Sequence, residues 1–164
     1  MSPSVALASA TSTVAEVGFG PHLVYDGYGC PAARLEDLDG LYALLDRLPE
    51  QIGMTRIMPP YVFRHAALDS RLSGNSGFVL IAESHISVHA FPSRRFVNVD
   101  VFSCETFDVR IVIAALKRAF APRRSEWRLF DRGLEFPKSI GSSRSVVVRD
   151  RASVARAIGL EASR

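Results

Sequence analysis

The sequence predicts an α+β fold: an antiparallel sheet with helices packed on one face, a two-layer sandwich. Three observations predict it. Residues 78–91 and 96–102 are patterned as strands, and in 96–102 Phe96, Asn98, Asp100 and Phe102 alternate with Val97, Val99 and Val101, the period of two that a half-buried strand needs. Residues 35–48 and 109–120 instead carry apolar side chains at helical spacing. The order strand, helix, strands, helix, strands, without tandem repeats, suits antiparallel pairing with the helices gathered on one side.

Taken in order, residues 21–25 predict a short strand ended by the turn Asp26-Gly27-Tyr28-Gly29. Leu35, Leu38, Leu41, Leu44, Leu45 and Leu48 share one helical face, so 35–48 predicts an amphipathic helix stopped by Pro49. Pro59-Pro60 excludes a regular central strand over 54–63. Residues 65–77 are polar and contain Gly and Ser, which predicts a loop. Two strands follow, 78–91 and 96–102, joined by a turn at Pro92-Ser93. Residues 109–120 predict a second helix with Ile111, Ala115 and Leu116 in the core, ended by Pro122. Residues 127–130 and 145–148 predict further strands, and 153–158 a last helix.

The chain has 164 residues, 48% of them hydrophobic and 23% charged, which fits one globular domain with a real core. Residues 1–16 form a Ser-, Thr- and Ala-rich stretch without a basic segment, which predicts a disordered tail rather than a signal peptide. A domain over 17–138 and a C-terminal strand and helix extension over 139–164 complete the organisation. No apolar run reaches the roughly 20 residues of a membrane helix. Two cysteines, Cys30 and Cys104, argue against a disulfide framework and for a reducing cytoplasm. Residues 1–82 carry a net charge of −3 and residues 83–164 a net of +6. The arginines of the second half, among them Arg94, Arg95, Arg118, Arg123, Arg124, Arg128 and Arg132, are dispersed without interleaved aromatics. That pattern suits solvated surface or chain pairing better than nucleic acid.

The chemistry concentrates in residues 76–104. The run Leu80-Ile81-Ala82-Glu83-Ser84-His85-Ile86-Ser87-Val88-His89 is preceded by Ser76-Gly77 and followed by Cys104. Taken singly, each residue has an ordinary role. Ser84 is a strand serine, His85 and His89 are histidines satisfied by backbone groups, and Cys104 is a small hydrophobe. His85, Ser87 and His89 share a face, but two histidines without a third ligand make a poor metal site. No Gly-x-Ser-x-Gly elbow supports a hydrolase. Asp100 is expected to satisfy neighbouring polar groups, and Cys30 and His22 to be structural.

Taken together, the residues resemble the S-adenosylmethionine decarboxylase proenzyme family, in its short bacterial, pyruvoyl-dependent form. Gly20-Pro21-His22-Leu23-Val24-Tyr25-Asp26 resembles the family's opening strand, with Pro21 where Arg is usual. The resemblance implies self-cleavage between Glu83 and Ser84. Ser84 would be the precursor of a pyruvoyl cofactor, His89 the processing base, Cys104 the catalytic proton donor, and Ser76 the serine that assists processing. A serine hydroxyl attacks the preceding carbonyl, giving an ester. A base removes the α-hydrogen, the ester leaves by β-elimination, and the dehydroalanine hydrolyses to pyruvoyl and ammonia. The pyruvoyl carbonyl then forms a Schiff base with a substrate amine and accepts electrons as carbon dioxide departs.

Geometry adds an expectation. If 84–89 is extended, Ser84 and His89 stand about 16 Å apart on opposite faces. The site is therefore expected to be shared in a homodimer, with Ser84 and Cys104 from one protomer and Ser76 and His89 from its partner. The resemblance implies the same.

The substrate expectation rests on a departure from the family. Members that bind S-adenosylmethionine carry His-Thr-Trp-Pro-Glu, whose Glu contacts the ribose. This chain has His89-Ala90-Phe91-Pro92-Ser93. The adenine-stacking aromatic expected six residues before the processing serine falls on Ser70, with Phe63 or Tyr61 as substitutes. Losing a carboxylate and a stacked ring, each contributing about 1–3 kcal/mol, leans the substrate toward a basic amino acid, L-ornithine or L-arginine, over S-adenosylmethionine. Phe91, Ser93 and Asp26 are candidate substrate contacts, and Asp26, Asp69 and Asp100 are candidates for holding a distal cation. The alternatives are S-adenosylmethionine itself and a non-catalytic regulatory paralogue.

Overall fold

The computed structural model describes residues 19–133. Six strands form one sheet, antiparallel throughout: β1 (Gly20–Tyr28), β2 (Tyr61–His65), β3 (Gly74–Ile81), β4 (Ser84–Phe91), β5 (Phe96–Ser103) and β6 (Arg124–Arg132). Their spatial order is β2-β3-β4-β5-β1-β6. Three helices, α1 (Ala32–Glu36), α2 (Leu38–Gln51) and α3 (Val109–Phe120), cover one face. This is the α+β arrangement that the sequence predicts.

Alternation builds the core. Leu23 and Tyr25 of β1, Val79 and Ile81 of β3, Ile86 and Val88 of β4, and Val97, Val99 and Val101 of β5 all turn toward the helices and are buried. Leu41, Leu45 and Leu48 of α2 and Val112, Leu116 and Phe120 of α3 meet them. Full burial of each such side chain contributes about 1.5–3 kcal/mol. No helix among the described residues covers the opposite face. It presents Val24, Phe78, Phe91, Phe96 and Phe102, all half-buried, beside His22, Asp26, His85, His89, Asn98 and Asp100.

The structure departs from the sequence expectations in six places. Residues 78–91 are not one strand: Ala82 and Glu83 form a tight turn that folds β3 back onto β4. The expected loop 65–77 begins as strand β2 and ends as strand β3. The buried polar groups of β3 are satisfied, since Asn75 Nδ2 donates to Leu35 O at 2.9 Å. β1 continues through Asp26 to Tyr28, and the reversal comes at Gly29, whose φ of 69° suits glycine. The first helix is two helices, broken where Asp37 caps α2 by accepting from Gly40 N–H. α2 runs past Pro49, whose carbonyl accepts from Ile52 and Met54 N–H and closes the last turn. Ile111 is exposed, and Val112 takes the core position. The expected tail over 1–16, the strand at 145–148 and the helix at 153–158 lie outside the described residues.

Candidate active site

The turn Ala82-Glu83 places the Glu83–Ser84 peptide at one end of the sheet, and two segments hold it there. The segment after α2 runs beside β3: Ile57 N–H donates to Leu80 O at 3.1 Å and Ala82 N–H to Thr55 O at 2.7 Å. Thr55 N–H in turn donates to Glu83 Oε2 at 3.1 Å, so the Glu83 side chain is tied to the same segment. Just past β5, Cys104 N–H donates to the Glu83 carbonyl oxygen at 3.0 Å. That carbonyl is the one a Ser84 hydroxyl would attack, and the donor stands where the developing oxyanion needs it.

Cys104 is itself positioned by its neighbour. Ser103 is fully buried, opposite Ser84 in the β4–β5 register. Its Oγ donates to Met54 Sδ at 3.4 Å and accepts from Glu105 N–H at 2.9 Å. Gly20 packs against the same peptide: a Cβ there would overlap Ser103 O and stand 2.7 Å from Cys104 Cα. The sequence carried no signal for Ser103 or Thr55, whose parts here are played through backbone groups, and Gly20 was read only as part of the opening strand.

The four residues expected to act together fall into two groups. Ser76 Oγ and His89 Nδ1 are 2.9 Å apart, directly paired across β3 and β4 on the open face. Ser84 and Cys104 share the turn end of the sheet. Five residues of β4 separate Ser84 from His89, about 16 Å at strand rise. The register sets Ser84 to the helix side, level with buried Ile81 and Ser103. Its Oγ nonetheless lies 3.1 Å from Nδ1 of His85, on the open side. Burial and the nearby His22 lower the pKa of His85, with Asp100 opposing.

The candidate substrate contacts lie toward the His89 end. Phe91 closes β4 and stacks on Phe96 with centroids 6.1 Å apart. Ser93 follows in a single helical turn that ends at Arg95, in the left-handed region at φ 52°. Asp26 shares a cross-strand row with Asn98, His89 and Ser76. Its pKa is raised by burial and by the carboxylates of Glu126 and Asp100. Asp100 Oδ1 accepts from His22 Nε2 at 3.0 Å, and Asp69 is tied to Arg71 at 2.8 Å. Phe63 and Tyr61 project from edge strand β2 on the same face, Phe63 level with Ser76. Cys30 is buried, and burial raises its thiol pKa. Among the described residues no group of three or more metal-ligating side chains converges, and no helix is long and apolar enough to cross a membrane.

A serine hydroxyl beside a donor-held peptide carbonyl, in an antiparallel sandwich, fits an enzyme that makes its own cofactor from its backbone. The class is the pyruvoyl-dependent carboxy-lyases. The family model for S-adenosylmethionine decarboxylase matches residues 21–133. An S-adenosylmethionine decarboxylase proenzyme of Clostridium botulinum (strain Loch Maree / Type A3) is 32% identical over 115 residues, 70% of this chain and 94% of that protein. A proenzyme of the same name from Thermoplasma acidophilum is 33% identical over 89 residues, 54% of this chain and 63% of that one. The crystal structure of the adenosylmethionine decarboxylase from Aquifex aeolicus VF5 superposes with a TM-score of 0.57 at 25% identity, covering 71% of this chain and 92% of that one. The chain belongs to the S-adenosylmethionine decarboxylase family. Its cofactor is a pyruvoyl group derived from Ser84.

Proposed function

We propose that the chain cleaves itself between Glu83 and Ser84 and, as a homodimer with two shared sites in the cytoplasm, decarboxylates S-adenosylmethionine. One observation carries the cleavage: the Cys104 N–H held 3.0 Å from the Glu83 carbonyl oxygen. The pyruvoyl group made there supplies an electron sink for the carbanion left by departing carbon dioxide. Cys104, whose backbone lies against that turn, is the proton donor to the substrate carbon. Ser76 orients His89, and His89 takes the Ser84 α-hydrogen during processing.

Sharing follows from reach. The Ser76–His89 pair cannot meet Ser84 of its own chain across about 16 Å of strand. The open face, rich in half-buried aromatic side chains, is the surface on which a second copy supplies the pair. Phe91, Ser93 and Asp26 arrive with that same end of the partner's sheet.

S-adenosylmethionine replaces ornithine or arginine as the favoured substrate. The basic amino acids rested on the loss of a carboxylate at Ser93 and of an aromatic at Ser70. The similar proteins carry the name S-adenosylmethionine decarboxylase, and Tyr61 and Phe63 offer exposed rings on the face that bears His89. Two of the three carboxylates considered for a distal cation already have partners in His22 and Arg71.

The test has two parts. Intact mass of the purified protein should show fragments of residues 1–83 and 84–164, the second beginning with pyruvoyl. Carbon dioxide release should then be measured from S-adenosylmethionine, ornithine and arginine side by side. Release from ornithine or arginine alone would overturn the substrate, and an uncleaved 18.0 kDa chain would overturn the chemistry.

A further inference from the structure

We propose that His85 is the catalytic base for the first step of self-cleavage, taking the proton of the Ser84 hydroxyl as it attacks. The inference rests on the cleavage reading above and adds a residue to it. The Ser84 Oγ lies 3.1 Å from His85 Nδ1, the distance of a hydrogen bond between the attacking atom and an imidazole nitrogen. The ring is anchored in place: His85 stands between Leu80 of β3 and Phe102 of β5, edge-on to Phe102 with centroids 5.9 Å apart. His22 packs on Phe102 from β1, and the guanidinium of Arg132 lies over that ring from β6 at 4.4 Å. The charged and titratable groups acting on His85 are thus His22 and Arg132, which disfavour a proton on it, and Asp100, which favours one; β3 contributes Leu80, with no charge. His89 faces the same side of its own strand, four residues on. Burial is the largest influence and also favours the neutral ring. A neutral ring protonated on Nε2 leaves Nδ1 open to accept.

The step balances without any co-reactant. The Ser84 Oγ–C bond forms at the Glu83 carbonyl, and the negative charge that develops on oxygen meets Cys104 N–H. The hydroxyl proton passes to His85 Nδ1. It then moves to the Ser84 nitrogen as the C–N bond breaks, leaving an ester and a free amine. The two histidines of the motif divide the work: His85 acts on the hydroxyl of its own chain, and His89 acts on the α-hydrogen at a later step.

The experiment isolates the first step. In a His89→Ala background the ester should accumulate, and hydroxylamine should cut it into fragments ending at 83 and beginning at 84. Adding His85→Gln should slow appearance of the hydroxylamine-sensitive ester about 100-fold, a usual contribution of a general base. The rate with His85 present should fall as pH drops through a pKa below the ordinary histidine value, and the His85→Gln profile should lose that inflection. A folded His85→Gln chain that forms ester at the parent rate, or keeps the inflection, overturns the proposal. Should that variant fail to fold, His22→Asn decides. Removing a neighbour that disfavours the proton should move the inflection to higher pH, and an unmoved inflection overturns the proposal. A parent chain that never yields ester or fragments instead overturns the cleavage reading itself.

Discussion

Ser76 Oγ and His89 Nδ1 lie 2.9 Å apart on the open face of the sheet, whereas Ser84, five residues back along the strand that carries His89, is set by its register to the helix side. On the shared-site reading proposed above, one chain holds two incomplete halves of a site at the two ends of β4. Mixed dimers test this arrangement. Neither Ser84→Ala nor His89→Ala chains should be cut when expressed alone. Co-expressed, roughly half of the His89→Ala chains should be cut, because random pairing puts that share beside a partner with an intact His89. Denaturing gels with one chain tagged read the result, and absence of any cut chain would exclude sharing.

Ser103 gives a second prediction. Its hydroxyl joins Met54 Sδ to the Glu105 N–H and so braces the chain on both sides of Cys104, whose own N–H faces the carbonyl under attack. Ser103→Ala should leave the fold intact and slow self-cleavage about tenfold, less than the 100-fold or more seen when an oxyanion donor is removed outright. Ser103→Thr, which keeps the hydroxyl, should recover most of the rate. A pulse-chase of the precursor measures both.

Gly20 gives a third. Any side chain there meets backbone, Ser103 O and Cys104 Cα, and backbone cannot rotate away. Gly20→Ala should cost about 1–3 kcal/mol, the range for forcing extra atoms into a packed interior. It should also delay cleavage, since the displaced peptide carries the donor. At Gly53 an added methyl group would meet nothing within 4 Å, but the φ of 74° disfavours one, so Gly53→Ala should destabilise the chain and leave the cleavage rate unchanged. Urea midpoints and cleavage half-lives separate the two effects.

Ser93 gives a fourth. If the family's ribose-gripping carboxylate belongs at this position, Ser93→Glu should lower KM for S-adenosylmethionine about tenfold while kcat changes little. A hydrogen bond from a charged group is worth about 1.5–3 kcal/mol. An unchanged KM would place ribose recognition elsewhere, with Asp26 the next residue to vary.

Where periodicity was strong, the sequence was legible: β5 follows from alternation, and the limits of α3 at Val109 and Phe120 from helical spacing and Pro122. The turn at Ala82-Glu83 was not, because it contains no Gly, Pro, Asn or Asp and sits within an apolar run. Its geometry is imposed from outside, by Thr55 and Cys104. β3 was hidden for the opposite reason. Asn75 and Ser76 look like loop residues, yet both are buried and bonded, to Leu35 and His89. Of the candidate site, Ser76, Ser84, His89 and Cys104 were named from the resemblance and its spacing. His85 was readable only as a neighbour, because its contact with Ser84 depends on a ring orientation set by Phe102.

The strand order also has a bearing on the life of the finished protein. A cut after Glu83 would assign β1, β2 and β3 to one piece and β4, β5 and β6 to the other. In the order β2-β3-β4-β5-β1-β6, the first piece then threads β1 between β5 and β6 of the second. Three of the five seams of the sheet become contacts between separate molecules. The pieces cannot part without dismantling the sheet, and once parted they meet again only by bimolecular collision. The mature enzyme would be an interlocked pair whose assembly instructions existed only while the chain was whole, so its loss on heating should be irreversible and governed by the rate of unfolding.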